Sequence, residues 1–294
     1  MNSELYFNMK ILSYFPEKSG IGKFVKNFAD RNNLEIINLY GQYSWFVRLL
    51  HIFGVSGAEF PKDEYILAAP LLSRIQGVDI YGCVIHDYFP LESRNFLKSM
   101  FYSWLYYPSS KSEMFYCNSE YTRKRVLELY NVSKSIVKVV HYDLDKKYKK
   151  GNKNKKFTVL SVGSIDKRKN LLFQLKLVGD LQRYVDLKFV RVGKFKWYHK
   201  LYIQFREIDV DQKINLSEKL LIREYQKAHV FIFPSTAEGH GLPADEAKVC
   251  GCEVFVGDNT ALKYLKLPNE NKLKLDHDLW VKKIIVHYFR KFKN

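Results

Sequence analysis

Short apolar runs separated by amphipathic stretches fill the first half of the chain. The first run, "MKILSYF" at 9–15, precedes a glycine-containing turn and a stretch in which Phe24, Val25 and Phe28 recur at helical spacing. This pattern predicts a strand, a tight turn and a helix. The later runs predict further strands at 34–40, within 77–88, at the start of 113–130 and at 136–145.

The same alternation resumes in the second half. We predict strands at 157–165, 187–193, 230–235 and 252–257, and helices at 170–181 and 217–228. Ser217 precedes the second of these helices and is a suitable N-cap. The two halves are joined by "KKYKKGNKNKK" at 146–156, whose lysines cannot be buried together. We therefore predict a solvated linker there.

Strands that alternate with helices on both sides of a linker are typical of doubly wound α/β domains. We predict an α/β protein with two Rossmann-like domains, the first over residues 1–148 and the second over 149–277. A basic helix at 278–294 is expected to pack back on the first domain. Ligands of such sheets bind at the carboxyl ends of the strands, so the two domains are expected to face each other across a ligand-binding cleft.

Composition agrees with a folded protein, since 47% of the residues are hydrophobic and 16% are aromatic. No apolar run approaches the roughly 20 residues that span a bilayer, and the first residues lack the apolar core of a secretory signal. We expect a cytoplasmic protein whose first strand begins at Met9, with 1–8 a leader or an added segment. The four cysteines do not have the spacing of a disulfide framework or a metal site.

The net charge of +17 changes this picture, because a strongly basic surface attracts anions. Nucleic acid, acidic lipid headgroups and phosphorylated small molecules are all consistent with it. Composition does not choose among these partners.

The richest chemistry lies in "FPSTAEGHGLPADEAKVCG", from Phe233 to Gly251. Glycines after an apolar strand permit a close backbone path, and Pro243 suits the first position of a helix. The N–H groups of such a helix start can receive a phosphate or a sugar hydroxyl. We predict that Glu246, in the first turn, accepts hydrogen bonds from a vicinal diol such as ribose. Glu238 is expected to face the same ligand from the loop.

This segment resembles the donor-binding signature of retaining GT-B glycosyltransferases of family 4, also called group 1. The family pattern is a helix that ends in Tyr-x-x-Ala, a strand, a Pro-Ser-x-x-Glu-Gly-x-Gly-Leu-Pro loop and then Glu-Ala. The matching positions are Tyr225, Ala228, Pro234, Ser235, Glu238, Gly239, Gly241, Leu242, Pro243, Glu246, Ala247 and Gly251. The resemblance implies the GT-B fold and transfer of a sugar from a UDP- or GDP-linked donor.

The resemblance also implies roles for single positions. Glu246 would bind the ribose of the donor, and Glu238 would contact the donor sugar near the reacting carbon. The backbone around Gly239, His240, Gly241 and Leu242 would hold the sugar and the diphosphate. His240 stands where the family usually has an aromatic residue, and Glu253 stands where it often has a proline.

A second segment, "SVGSIDKRKNLLFQL" at 161–175, resembles the strand, loop and helix that contact the diphosphate in the same family. The resemblance implies that Gly163 belongs to the donor site. Arg168 and Lys169 lie beyond the carboxyl end of a strand, where cations can neutralise a leaving diphosphate. The family's usual arginine directly after the glycine is Ser164 here, so more of this work would fall on Arg168 and Lys169.

The first half resembles the family more loosely. "SGIGKF" at 19–24 is similar to its first glycine loop, in which Gly20 and Gly22 would approach the diphosphate or the acceptor. "VIHDYFP" at 84–90 is similar to its His-Asp strand end, which makes His86 a sugar-contacting candidate. A core histidine satisfied by hydrogen bonds is the alternative for His86. Ser119 and Thr122 match a family segment but suit a helix cap better.

Metal-dependent sugar transferases bind the cation of the nucleotide with a D-x-D triplet. Such triplets occur here at Asp143–Asp145, Asp209–Asp211 and Asp276–Asp278, and none follows a buried strand in a nucleotide-binding context. We predict catalysis without a metal or another cofactor.

The acceptor is the least constrained partner. Basic, aromatic stretches at 44–55 and 279–294 are suited to an anionic membrane interface or, alternatively, to core packing with a wet outer face. The first hypothesis is a peripheral enzyme at the inner face of the membrane, acting on a lipid-linked, glycan or protein acceptor. The alternatives are a transferase of the same fold that modifies DNA, and a non-catalytic module that binds anions or membranes.

Overall fold

The computed structural model describes residues 9–17, 19–40, 63–75, 78–87, 91 and 96–292. The chain divides into two compact units, Met1–Asp143 and Leu144–Asn294, referred to below as unit 1 and unit 2. The division falls a few residues before the boundary expected after residue 148. The basic aromatic stretch predicted at 44–55 and the segment 1–8 lie outside the described residues.

Unit 1 is built on a parallel sheet. Its strands are β1 (Met9–Ser13), β2 (Glu35–Asn38), β3 (Glu64–Leu67), β4 (Asp79–Ile85), β5 (Met114–Cys117) and β6 (Val137–Val139). They pair in the order β2-β1-β3-β4-β5-β6. Its helices are α1 (Gly20–Asn32), α2 (Phe96–Tyr106) and α3 (Glu120–Tyr130). As predicted, Phe24, Val25 and Phe28 are the buried face of α1.

Unit 2 repeats this architecture. Its strands are β7 (Phe157–Val162), β8 (Leu187–Val192), β9 (Val210–Lys213), β10 (Val230–Phe233), β11 (Glu253–Gly257) and β12 (Lys272–Leu273). Its helices are α4 (Leu171–Leu181), α5 (Trp197–Phe205), α6 (Glu218–Lys227), α7 (Leu242–Val249) and α8 (His277–Lys291). Parallel strands with crossover helices confirm the prediction of doubly wound, Rossmann-like α/β units.

The strand order of unit 2 shows where a ligand would bind. The order is β9-β8-β7-β10-β11-β12, so the chain winds outward in both directions from the β7–β10 pair. In open α/β sheets, ligands bind outside the carboxyl ends of the strands at this switch point. Val159 and Leu160 of β7 pair with Val230 and Phe231 of β10. The loops that follow Val162 and Phe233 are therefore neighbours at the site edge of the sheet.

The sequence analysis did not predict three of the strands. The β3 strand is a short apolar run that leads directly into an Ala-Ala-Pro sequence, and β9 and β12 are edge strands with polar residues. Edge strands are buried on fewer sides, so their sequences need not be continuously apolar. The alternation that places the site does not depend on them.

Most of the lysine-rich stretch 146–156 is exposed, in keeping with the predicted solvated linker, but Tyr148, Lys153 and Asn154 contact the rest of unit 2. Tyr148 is 3% exposed. Lys153 Nζ donates to the carbonyl of Ala228 at 2.5 Å, and the Asn154 N–H donates to the carbonyl of Lys227 at 3.0 Å. A lysine can bury its stem and satisfy its ammonium on backbone carbonyls, and local charge density does not show that in advance.

The C-terminal helix α8 packs on the core of unit 2 through Trp280 and Ile284, and Tyr288 meets the ring of Phe157 at 5.0 Å between centroids. Lys282 and Arg290 on its other side are exposed. This arrangement is the core-packed alternative considered for the tail. Among the described residues, no helix combines the length and the apolar character that crossing a membrane requires.

Candidate active site

The loop after β7 presents Lys169 to the switch point. Gly163 has φ +154°, a conformation that favours glycine, and the stem of Lys169 lies over the position its Cβ would take, at 3.6 Å. Asp166 then caps a short 3₁₀ turn, its carboxylate accepting from the Arg168 N–H at 2.8 Å. Asn170, in the left-handed conformation, ends this turn and starts α4. The turn directs Lys169 towards β10.

The loop after β10 places Glu238 opposite this lysine. Lys169 Nζ lies 2.6 Å from Glu238 Oε1 and 4.7 Å from the centroid of the Phe233 ring. The Glu238 N–H donates to Thr260 Oγ1 at 2.9 Å, which fixes the backbone of the glutamate. The side chains of Lys169 and Glu238 are 15% and 11% exposed, so their ion pair is largely shielded from solvent. Both predicted residues meet at the switch point.

The helix that follows begins one residue earlier than predicted. Gly241 is the N-cap of α7, with φ +107°, and a Cβ there would approach Leu262 Cδ2 to 2.7 Å. Leu242 is therefore the first helical residue, and Pro243 is the second rather than the first. Glu246 consequently lies beyond the first turn, whereas the sequence analysis predicted it within that turn. No side chain caps this helix start.

Glu246 is buried and held from within the protein. Its Oε2 accepts from the Tyr225 hydroxyl at 2.8 Å, and its Oε1 accepts from the Tyr148 hydroxyl at 3.2 Å. The Tyr148 hydroxyl also lies 3.0 Å from Glu218 Oε1. Burial, followed by the charge of Glu246, raises the pKa of both phenols, so both remain donors at neutral pH. Because each carboxylate oxygen can accept more than one hydrogen bond, Glu246 retains the chemistry for binding a diol.

Tyr148 is a site residue that sequence reasoning missed. Tyr225 belongs to the Tyr-x-x-Ala signature of the resemblance, whereas Tyr148 stands in the lysine-rich stretch. A single aromatic residue among lysines is the only local signal for its burial. Its partner is almost a hundred residues away in sequence.

Arg168 and His240 have partners outside the Lys169–Glu238 pair. The Arg168 side chain contacts Asp166 through Nε and Nη2, each at 3.3 Å, and the Arg168 carbonyl accepts from the Thr236 N–H at 2.8 Å. Arg168 therefore joins the two site loops through its backbone. His240 Nε2 lies 2.9 Å from Asp245 Oδ2 in the first turn of α7. Gly239 lies between Glu238 and His240 in the same loop.

Unit 1 contains the other predicted site residues, Gly20, Gly22 and His86. Gly20 is the first residue of α1, and a Cβ there would meet nothing within 4 Å. The Gly22 N–H is used by the N-cap Ser19, and a Cβ at Gly22 would lie 2.1 Å from the Pro16 carbonyl oxygen. Close packing therefore accounts for Gly22 within unit 1.

His86 follows β4 and bonds to its own unit. Its Nε2 lies 3.1 Å from the Ala68 carbonyl oxygen, and its ring meets the edge of Phe24 at 5.2 Å between centroids. Burial lowers the pKa of His86 to about 4, so the imidazole is neutral at physiological pH and donates this hydrogen bond. The nearby Ser119 caps α3 by accepting from the Thr122 N–H, as predicted.

Several carboxylates of the D-x-D triplets are engaged by other groups of the protein. Asp145 pairs with Lys147 and Asp211 with Lys188, and Asp276 caps α8. Within the part of the chain that the structure describes, no three His, Cys, Asp or Glu side chains converge in a way that could hold a metal ion.

Comparison with known families supports the reading of unit 2. Residues 144–280 match the family model described as glycosyl transferases group 1. No curated protein sequence matches the chain.

Solved structures resemble the whole fold. WaaG, a glycosyltransferase involved in lipopolysaccharide biosynthesis, is 13% identical with a TM-score of 0.70, over 94% of this chain and 89% of WaaG. Anabaena Alr3699/HepE, solved with UDP and glucose, is 11% identical with a TM-score of 0.68, over 97% of this chain and 90% of its own. Sucrose-phosphate synthase from Thermosynechococcus elongatus is 15% identical with a TM-score of 0.65, over 78% of this chain. The chain spans only 64% of that synthase. These likenesses show the GT-B fold.

Proposed function

We propose that this chain, whose residues 144–280 match the family model of group 1 glycosyl transferases, transfers a sugar from a nucleotide-sugar donor with retention of configuration and without a metal. The observation that carries the proposal is the shielded Lys169–Glu238 pair at the β7–β10 switch point. The cation and the carboxylate are held 2.6 Å apart. The cation can stabilise the negative charge on a leaving diphosphate, and the carboxylate can stabilise the positive charge on the sugar carbon from which it departs.

The donor would lie along the site edge of unit 2. Glu246, oriented by Tyr225 and Tyr148, would accept hydrogen bonds from the ribose hydroxyls. Lys169 would bind the diphosphate and Glu238 the donor sugar, with Arg168 contributing charge at the rim. The uncapped start of α7 would add its N–H groups to the diphosphate or the sugar.

Retention follows in this proposal from attack on the face that the diphosphate leaves. The acceptor oxygen would bond to the anomeric carbon as the bond from that carbon to the diphosphate oxygen breaks. The acceptor proton would pass to the departing phosphate oxygen, giving the nucleoside diphosphate and the glycoside. Lys169 would stabilise the negative charge that develops on the leaving group, which is the contribution a metal makes in other transferases.

A melting-temperature screen with UDP, GDP and their sugars tests this function. We expect one nucleotide series to raise the melting temperature by several degrees, because a ligand bound only by the folded state stabilises it by about 2.7 kcal/mol at a hundredfold excess over Kd. The shift should persist after treatment with EDTA. A chain that responds to neither series, or only with added divalent cation, would contradict the donor or the metal-independence part of the proposal.

For the acceptor we propose a lipid-linked or other glycan substrate reached at the cytoplasmic face of a membrane. Support comes from α2, on which several large apolar side chains are exposed while Leu105 and Tyr106 at its end pack into the core. Those exposed by more than 40% are Phe96, Leu97, Met100, Phe101 and Trp104. The Arg74 guanidinium lies 3.7 Å from the centroid of the Trp104 ring. Such a face, with an aromatic residue beside a cation and no acidic residue in α2, is suited to the interface of an anionic bilayer.

Vesicle sedimentation tests this surface. Replacing Phe96 and Phe101 together with serine should lower binding to vesicles containing anionic lipid by about tenfold or more, because burying an aromatic side chain contributes roughly 1.5–3 kcal/mol. Phe205 of unit 2, 84% exposed, is the matched control, and F205S should bind as the wild type does. Unchanged partition of the double variant would contradict the α2 surface. Salt-sensitive binding and glycosylation of DNA instead would favour the DNA-modifying alternative.

A further inference from the structure

Arg191 of β8 lies under the loop that carries Lys169, and its side chain is completely buried. Its Nη2 donates to the carbonyls of Gly163 at 2.7 Å and of Ser164 at 3.1 Å. Its Nη1 donates to Ser161 Oγ at 2.8 Å. One guanidinium therefore binds the end of β7 and the first two carbonyls of the loop.

The same network reaches the other end of the loop. Ser161 Oγ donates to Gln174 Oε1, and Gln174 Nε2 donates to the carbonyl of Lys169 at 2.6 Å. Gln174 is 1% exposed. A continuous chain of hydrogen bonds thus joins Arg191 to the carbonyl of Lys169, so one connected network holds both ends of the loop.

This arginine is a buried charge without a counter-ion. No ion pair joins it to a carboxylate of the described residues, and its Nε has no hydrogen-bond partner among them. Burial lowers the pKa of Arg191 to about 10, so the guanidinium is still charged at neutral pH. Burying an unpaired charge costs several kcal/mol. Two neutral carbonyls and a hydroxyl do not require a charged donor, which points to a use for the charge itself.

The hydrogen bonds of Arg191 also orient the loop amides. All peptide bonds of the described residues are trans, and the C=O and N–H of a trans peptide point in opposite directions. Because the carbonyls of Gly163 and Ser164 point at Arg191, the N–H groups of Ser164 and Ile165 point away from it. Neither N–H has a partner within the described protein. Consecutive amides turned the same way form an anion-binding concavity.

We propose that Arg191 is a positioning residue for the donor diphosphate. It turns the Ser164 and Ile165 amides towards the phosphate groups and supplies a positive charge that the Ser164 side chain does not carry. In the family that the segment resembles, an arginine stands at the position of Ser164. Here the cation lies beneath the loop, on the neighbouring strand. This inference rests on the proposed function, because it concerns the same donor.

The test compares the affinities for UDP and UMP, or for GDP and GMP if the guanosine series is the one bound. The Kd for the monophosphate divided by the Kd for the diphosphate measures how much the second phosphate contributes to binding. We expect R191M to reduce this ratio by about 10- to 100-fold, and R191K, which keeps the charge but replaces the two contacting nitrogens by one, to reduce it several-fold. Adding S164R to R191M should restore part of the ratio, because Ser164 is exposed and an arginine there can reach the phosphates.

A folded R191M protein with the wild-type ratio would overturn the inference, as would an equal loss of affinity for both nucleotides, which is the mark of a merely structural role. If R191M does not fold, R191K decides: an unchanged ratio in that variant rejects the proposal. Arg183, exposed on the same unit, provides the control R183M, which should keep the ratio. A wild-type chain that binds neither diphosphate would instead reject the proposed function.

Discussion

Replacing Lys169 with methionine is expected to lower kcat by about 10²- to 10³-fold, the usual effect of removing one preorganised donor from a developing negative charge. Methionine keeps the apolar stem that lies over Gly163 and lacks the terminal ammonium group. The melting temperature is expected to fall, because the shielded Glu238 carboxylate loses its partner, so kcat is compared on the folded variant. Its effect should fall on kcat more than on KM, because the charge on the leaving diphosphate grows in the transition state.

Lys167 provides the matched control for this substitution. It belongs to the same 3₁₀ turn, but its side chain is exposed and forms no ion pair among the described residues. K167M should therefore turn over donor as the wild type does. A similar loss in K167M would mean that the charge of the loop matters rather than the position of Lys169, and a K169M enzyme within twofold of the wild type would remove the central residue of the mechanism.

Glu238 extends the same experiment to a double-mutant cycle. E238Q keeps the shape of the side chain but removes its charge, and it should also lower kcat. Because Lys169 and Glu238 are in contact, the effects of K169M and E238Q should not add, and the double variant should lose less than the product of the two single losses. Additive losses would show that each residue acts without the other.

The sequence predicted the positions of Lys169 and Glu238 at the carboxyl ends of β7 and β10, because the residues around each of them encode its position locally. A buried strand, glycines and a helix start within a few residues define the path that brings Glu238 to β10. Lys169 lies at a similar place after β7. Since parallel strands end at one edge, two local patterns were enough to predict one site.

What the sequence did not predict are contacts over long separations. Tyr148 contacts Glu246 from a lysine-rich stretch, and Arg191 contacts the Gly163 loop from the next-to-last position of the "LKFVRV" strand. Nothing local distinguishes a buried arginine with backbone partners from an exposed one. The start of α7 was misplaced by one residue for a related reason: the N-cap is Gly241, whose role follows from its φ of +107° and not from a capping side chain.

The second large effect is expected at Glu246, where E246Q should weaken binding of the nucleoside diphosphate by about 10- to 100-fold. Hydrogen bonds to a charged group contribute about 1.5–3 kcal/mol, and a ribose diol can form two with one carboxylate. Tyr225 and Tyr148 hold the carboxylate in place, so the wild type has its acceptor oriented before the ligand arrives. The glutamine amide offers one acceptor atom to the two phenols and the diol together, and leaves some of these groups without a partner.

Deoxynucleotides make this prediction specific to ribose. The wild type should bind the 2′-deoxy and 3′-deoxy diphosphates much more weakly than the parent nucleotide, and E246Q should bind all three with similar affinity. Glu218 is the matched control, since it also contacts the Tyr148 hydroxyl but pairs with Lys147, so E218Q should retain the discrimination. If E246Q still discriminated against the deoxynucleotides as the wild type does, the buried carboxylate would be a support for Tyr148 and Tyr225 within the core of unit 2, and the ribose would have to bind elsewhere.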